Sequence, residues 1–116
     1  MNLTIVGTGY VGLVTGACFA EFGYSVTCID KDNKRIEMLK LGKCPFFEPG
    51  MDELLDKHIN KTQLITFAST IKNNLENTDI ILITVGTPTR RLEDDADLSF
   101  VWQVAEEIAD NIKKYC

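Results

Sequence analysis

Glycine fills three of the six positions in Gly7-Thr8-Gly9-Tyr10-Val11-Gly12, and this segment follows the β-prone run Leu3-Thr4-Ile5-Val6 without a gap. From residue 10 to about 22, small and apolar residues then read as a largely buried helix. A strand that turns through glycine straight into a buried helix leaves few folds open. The helix must lie back on the strand's own sheet, and the chain must cross over to a parallel neighbour. Gly7 permits the tight turn, Gly9 leaves backbone open to close approach, and Gly12 lets the helix pack hard against the sheet.

The remaining chain repeats the alternation. Residues 25–29 read as a second strand closed by Asp30. An amphipathic helix is expected from about 32 to 41, with Ile36, Leu39 and Lys40 setting its faces and Gly42 as its stop. In the loop Pro45-Phe46-Phe47-Glu48-Pro49-Gly50, Pro49 is expected to open another helix, since its missing N–H is harmless there. Met51, Leu54, Leu55 and Ile59 form that helix's stripe. Residues 63–68 read as a third strand, 69 to about 77 as a short helix, and 79–85 as the strongest strand. Its near-continuous apolar character suits a parallel strand covered on both faces. After a polar loop over 86–96, Leu98, Val101, Trp102, Ala105, Ile108, Ala109 and Ile112 recur at helical spacing. Acidic residues precede this last helix and Lys113 and Lys114 close it, which complements its dipole.

The expected fold is therefore α/β: a Rossmann-type, doubly wound parallel sheet, incomplete, with strand order 3-2-1-4. At 116 residues there is room for one domain and one core. The final helix ends where a further strand would enter, so an uncovered apolar edge is expected along residues 80–85. Such an edge favours self-association or poor solubility.

Net charge is −5, and Asp94, Asp95 and Asp97 form the densest acidic patch, read as a solvated helix entrance. That balance excludes a nucleic-acid backbone as the main partner, which would need a clustered basic face. No apolar run approaches the ~20 residues of a membrane span, and the start lacks signal-peptide character, so a cytoplasmic location is expected. Cys18, Cys28, Cys44 and Cys116 lack any C-x-x-C spacing and are read as reduced thiols, Cys18 and Cys28 as small core hydrophobes. His58 has no cysteine or second histidine nearby; it is read as a surface residue, and no metal site is expected.

A small anion needs no basic face. The N–H groups of Tyr10, Val11 and Gly12 stand at the positive end of the first helix, where a pyrophosphate can be held. Asp30, at the end of the second strand, can accept hydrogen bonds from a ribose hydroxyl pair and repel a 2′-phosphate, which favours NAD over NADP. Lys31, Lys34 and Arg35 oppose that preference, because a nearby base could accept a phosphate. Asp30 alone is also explained as a cap for the helix beginning near Asp32.

Four segments, Gly7-Thr8-Gly9-Tyr10-Val11-Gly12-Leu13, Cys28-Ile29-Asp30, Phe47-Glu48-Pro49-Gly50-Met51-Asp52-Glu53-Leu54-Leu55 and Val85-Gly86-Thr87-Pro88-Thr89, together resemble the UDP-glucose/GDP-mannose dehydrogenase family, its UDP-glucose 6-dehydrogenases above all. The Glu-Pro-Gly and Gly-Thr-Pro segments are more specific than the glycine turn and argue against a flavoprotein. The resemblance implies oxidation of a nucleotide sugar's primary alcohol to a carboxylate in two steps, consuming two NAD. It implies that Val11 contacts the dinucleotide through backbone, that Asp30 holds the adenosine ribose, and that Thr87 lies beside the cofactor. Arg35 stands where the family carries a lysine; it keeps the charge but not the geometry. The family's nucleophilic cysteine and its supporting lysine and asparagine fall beyond position 116, as do most substrate contacts. No catalytic residue is therefore assigned. The expectation is an amino-terminal NAD-binding domain, 1–116, without the central and UDP-binding domains, inactive alone, with UDP-glucose a partner only of the full-length parent and any homodimer formed through the absent regions. A UDP-N-acetylmannosamine or GDP-mannose dehydrogenase, or a non-catalytic NAD-binding module, are the alternatives. Two bland readings also stand: Glu48 as a solvated or capping residue, and Thr87-Pro88 as an ordinary turn.

Overall fold

Each strand alternates its side chains between two apolar layers, and this settles where the helices lie. In the computed structural model, which describes residues 1–88 and 96–112, β1 (Asn2–Val6), β2 (Ser25–Ile29), β3 (Ile65–Ala68) and β4 (Ile80–Ile83) form one parallel sheet in the order β3-β2-β1-β4. Registers such as Ile5 opposite Cys28 and Leu82 keep like-facing residues side by side. Ile5, Val26, Cys28, Ile65 and Phe67 point to one face; there they meet α1 (Tyr10–Glu21), α2 (Asn33–Lys40) and α3 (Met51–Asp56) through Leu13, Ala17, Leu39 and Leu55. Val6 and Ile29 point to the other face, against Ile71, Leu75 and Val104 of α4 (Ser99–Ile112). Elements on both faces make the sheet doubly wound, as the sequence pattern predicts. The β4 strand bonds to β1 alone among the described residues, and Ile80 and Ile83 are exposed, so the expected apolar edge is there.

Several expectations need correction. No helix forms over 69–77; the segment runs in turns, with Asn73 and Asn77 at φ of 65° and 64°. Asparagine tolerates this left-handed conformation, and two such residues interrupt any helical ladder. Ile71 and Leu75 are nonetheless buried, so the apolar spacing was sound and the helix was not. Pro49 does not open α3. Gly50 is the N-cap at φ 86°, and the helix begins one residue later at Met51. Cys18 is exposed, whereas Cys28 is fully buried and its thiol is pushed up to about 12 by desolvation.

His58 is buried, not superficial, at 2% exposure. Position 58 lies three residues beyond Leu55 on the same inward stripe, which continues past α3 into a π-type turn, Lys57–Lys61. Its Nε2 sits 2.8 Å from Glu21 Oε1 and its Nδ1 2.9 Å from Thr62 Oγ1. Lys57 Nζ donates to the same Glu21 oxygen at 2.7 Å, and these bonds, from Lys57 first and His58 second, hold the Glu21 carboxyl below its ordinary value. Thr89, Asp94, Asp95, Lys113, Lys114 and Cys116 lie outside the described residues.

No helix of the described residues is long and apolar enough to cross a membrane. Among those residues no cluster of three or more His, Cys, Asp and Glu is arranged for a metal ion.

Candidate functional site

The carboxyl ends of all four strands open on one side of the sheet, where ligands of open α/β sheets bind. A cleft of about 680 Å³ occupies that side. Gly7, Gly9, Tyr10, Val11, Asp30, Arg35 and Thr87 all line it; Gly12 does not. The reason lies in the turn. A Cβ on Gly12 would stand 2.1 Å from the Gly7 carbonyl oxygen and 2.4 Å from Thr84 Oγ1, so Gly12 is the contact between helix and turn, behind the cleft wall. Gly7, at φ 108°, would carry its Cβ 2.9 Å from the Thr84 carbonyl oxygen. Around Gly9, by contrast, a Cβ would meet no heavy atom within 4 Å beyond Gly9 and its two chain neighbours.

That open space sits at the head of α1. Leu13 N–H donates to the Gly9 carbonyl at 3.0 Å, the first bond of the helical ladder. The N–H groups of Tyr10, Val11 and Gly12 precede it and have no intrahelical acceptor. With the glycine turn open above them, the residues fit a pyrophosphate group.

Asp30 is fixed from two sides. Its Oδ2 accepts from Thr8 N–H at 2.9 Å and Thr8 Oγ1 at 2.7 Å, and its Oδ1 accepts from Asp32 N–H at 3.0 Å. Desolvation alone would raise its pKa. The Asp32 and Thr8 hydrogen bonds, helped by the Arg35 charge, outweigh that and hold the carboxyl below its ordinary value. Asp30 therefore stays ionised, with lone-pair capacity left on Oδ1 for a hydroxyl donor. Asp32, not Asp30, caps α2, accepting from Arg35 N–H at 3.1 Å, which removes capping of that helix as the explanation for Asp30. The Arg35 guanidinium crosses the turn, and its Nη1 donates to the Thr8 carbonyl at 3.2 Å.

The sequence did not flag Thr8, Thr84 or Glu107. Thr8 is fully buried and anchors Asp30. Thr84 Oγ1 donates to both the Val6 and Gly7 carbonyls at 3.1 Å, tying the end of β4 to the glycine turn. A hydroxyl ending the apolar run was the available signal for Thr84. Glu107 reaches the cleft from α4 and pairs with Lys31 at 3.7 Å. On the opposite flank, the Tyr10 ring packs on Phe46 at 5.3 Å. The neighbouring Glu48 charge, with desolvation and a hydrogen bond from the phenol, pushes the Tyr10 hydroxyl's pKa up.

A parallel 3-2-1-4 sheet with a glycine turn at its first helix and a fixed carboxylate ending β2 defines a dinucleotide-binding domain of the Rossmann class. The family can also be stated. The chain belongs to the UDP-glucose/GDP-mannose dehydrogenase family, whose NAD-binding domain matches residues 1–116, and NAD is its cofactor. It is 45% identical over 115 residues to a UDP-glucose 6-dehydrogenase of Rhizobium meliloti (strain 1021), covering 99% of this chain and 26% of that protein. A GDP-mannose dehydrogenase from Pseudomonas aeruginosa superposes with a TM-score of 0.90 at 32% identity, over 97% of this chain and 25% of the other. A UDP-glucose dehydrogenase from Pyrobaculum islandicum does so with a TM-score of 0.90 at 31% identity, over 97% and 26%. The chain thus spans about a quarter of the length of the UDP-glucose 6-dehydrogenases it matches.

Proposed function

We propose that these residues are the cofactor-holding part of a UDP-glucose 6-dehydrogenase, which oxidises UDP-glucose to UDP-glucuronate with two NAD. The amides of Tyr10, Val11 and Gly12 hold the pyrophosphate, with Gly7 and Gly9 giving the backbone its close approach. Asp30 accepts from the adenosine ribose. Arg35 supplies positive charge beside it while bracing the Thr8 carbonyl. Thr87, at the carboxyl end of β4, lies along the remaining length of the dinucleotide. NAD, when bound, supplies the hydride acceptor; the chain's own residues bind it, orient it and keep Asp30 ionised. None of them is assigned as the nucleophile.

The carrying observation is the open space over Gly9 at the head of α1, in the same cleft as the Asp30 carboxylate. The high identity to a UDP-glucose 6-dehydrogenase favours UDP-glucose as the sugar nucleotide. A GDP-mannose dehydrogenase is the second reading, favoured by an equal structural likeness. Calorimetric titration tests the core of the proposal. The 116-residue chain is expected to bind NAD and to form no NADH when UDP-glucose is added. Failure to bind NAD would remove the cofactor assignment, and NADH formation would show that a nucleophile resides within these residues.

A further inference from the structure

The cleft carries two opposed sets of charge at the Asp30 corner. Asp30 and Glu107 are acidic, and Lys31 and Arg35 are basic; all four line the same space. The sequence alone left Lys31, Lys34 and Arg35 as an argument for a 2′-phosphate, and of these Lys31 and Arg35 line the cleft. The structure shows both cations engaged. Arg35 Nη1 is bonded to the Thr8 carbonyl, and Lys31 Nζ lies 3.7 Å from Glu107 Oε1. Glu107 comes from α4, on the far face of the sheet from α2, so it draws Lys31 across the cleft mouth.

We propose that Glu107 is a specificity-positioning residue: it holds Lys31 off the site a 2′-phosphate would occupy and so reinforces the preference of the Asp30 corner for NAD over NADP. This rests on the proposed ribose role of Asp30. An NADP phosphate placed at that corner would meet two carboxylates, and its nearest flexible cation would already be paired. Arg35 is tethered through Nη1 to the Thr8 carbonyl, which fixes where its guanidinium stands. Lys31 can turn to the phosphate once Glu107 is neutralised, because its side chain is 68% exposed and its pairing is a single exposed contact. Exposed pairs of this kind are worth up to ~1 kcal/mol, which corresponds to a change of about fivefold.

The test titrates NAD and NADP separately into the chain and its variants, with circular dichroism as the folding control. Glu107→Gln is expected to tighten NADP binding about fivefold while NAD binding stays within about twofold. Adding Lys31→Ala to Glu107→Gln is expected to return NADP affinity to the parent level, since the gained phosphate partner is gone. Unchanged NADP affinity in Glu107→Gln would overturn the inference, as would a gain that survives in the double variant. Asp30→Asn separates the two levels. Weakened NAD binding there with no response to Glu107→Gln sinks only the Glu107 role; unaltered NAD binding in Asp30→Asn removes the ribose reading and this inference with it.

Discussion

Replacing Gly9 by alanine separates what the glycine turn does for folding from what it does for binding. Gly9 sits at φ −72° and ψ −167°, an extended conformation open to any L-residue. A Cβ added there meets no heavy atom within 4 Å outside Gly9 and its two chain neighbours. The folded state therefore accepts the methyl group without strain, while the unfolded chain loses conformational freedom. That entropic gain is worth about 0.4–1 kcal/mol, and the preference of a helix N-cap for glycine over alanine, of similar size, offsets it at this position. The melting temperature is therefore expected to stay within roughly 2–4 °C of the parent. Binding, by contrast, should fall steeply. The methyl group would occupy the space through which a pyrophosphate reaches the amides of α1, and one charge-assisted hydrogen bond lost is worth ~1.5–3 kcal/mol. NAD affinity is expected to fall by about 10- to 100-fold. Gly12→Ala supplies the contrast. Its Cβ would lie 2.1 Å from a backbone oxygen, so helix and turn must move apart and stability itself should fall by ~1–3 kcal/mol. Differential scanning calorimetry and NAD titration on the same samples read both quantities. A Gly9→Ala variant that folds as stably as the parent and binds NAD as tightly would refute the placement of the diphosphate.

Two further outcomes are expected. Truncating His58 to alanine should destabilise the chain by about 2–4 kcal/mol in urea unfolding, through a lost buried ring and unpaired neighbours. NAD affinity should not change, because His58 is not among the cleft residues; a parallel loss of affinity would show that the two regions are coupled. Asp30 should contribute to acid sensitivity. Its folded pKa is lowered, so its stabilisation is present above the ordinary Asp value near 4 and is lost as pH falls through the folded value. Asp30→Asn should flatten the fall in urea midpoint below about pH 4, and an undiminished fall would assign that sensitivity elsewhere. Asparagine is the substitution of choice, since alanine would leave the buried Thr8 hydroxyl without its acceptor at a cost of about 1–3 kcal/mol.

The sequence by itself determined the strands, their order and the glycine turn, because those rest on local periodicity and on residue types with few conformational alternatives. Short β-prone apolar runs, joined by helical stretches, admit little except right-handed crossovers onto a parallel sheet. Composition also located Asp30 at the end of β2, since strand ends are legible where a β-prone run meets a carboxylate. Position along the chain could not show what that carboxylate touches. Thr8 lies 22 residues away and Thr84 is tied to Gly7 across 77, and such contacts exist only once β1 is sandwiched between β2 and β4. His58 failed for a related reason: its spacing from Leu55 put it on the inward stripe, but its Glu21 partner is 37 residues distant, so nothing local showed how a buried imidazole could be satisfied. The missing helix over 69–77 is the converse case, where apolar spacing was satisfied by turns because burial needs side chains on the right face, not any particular backbone. Local physics chose the elements; the packing of distant segments decided which polar groups were held, and therefore how the cleft is charged.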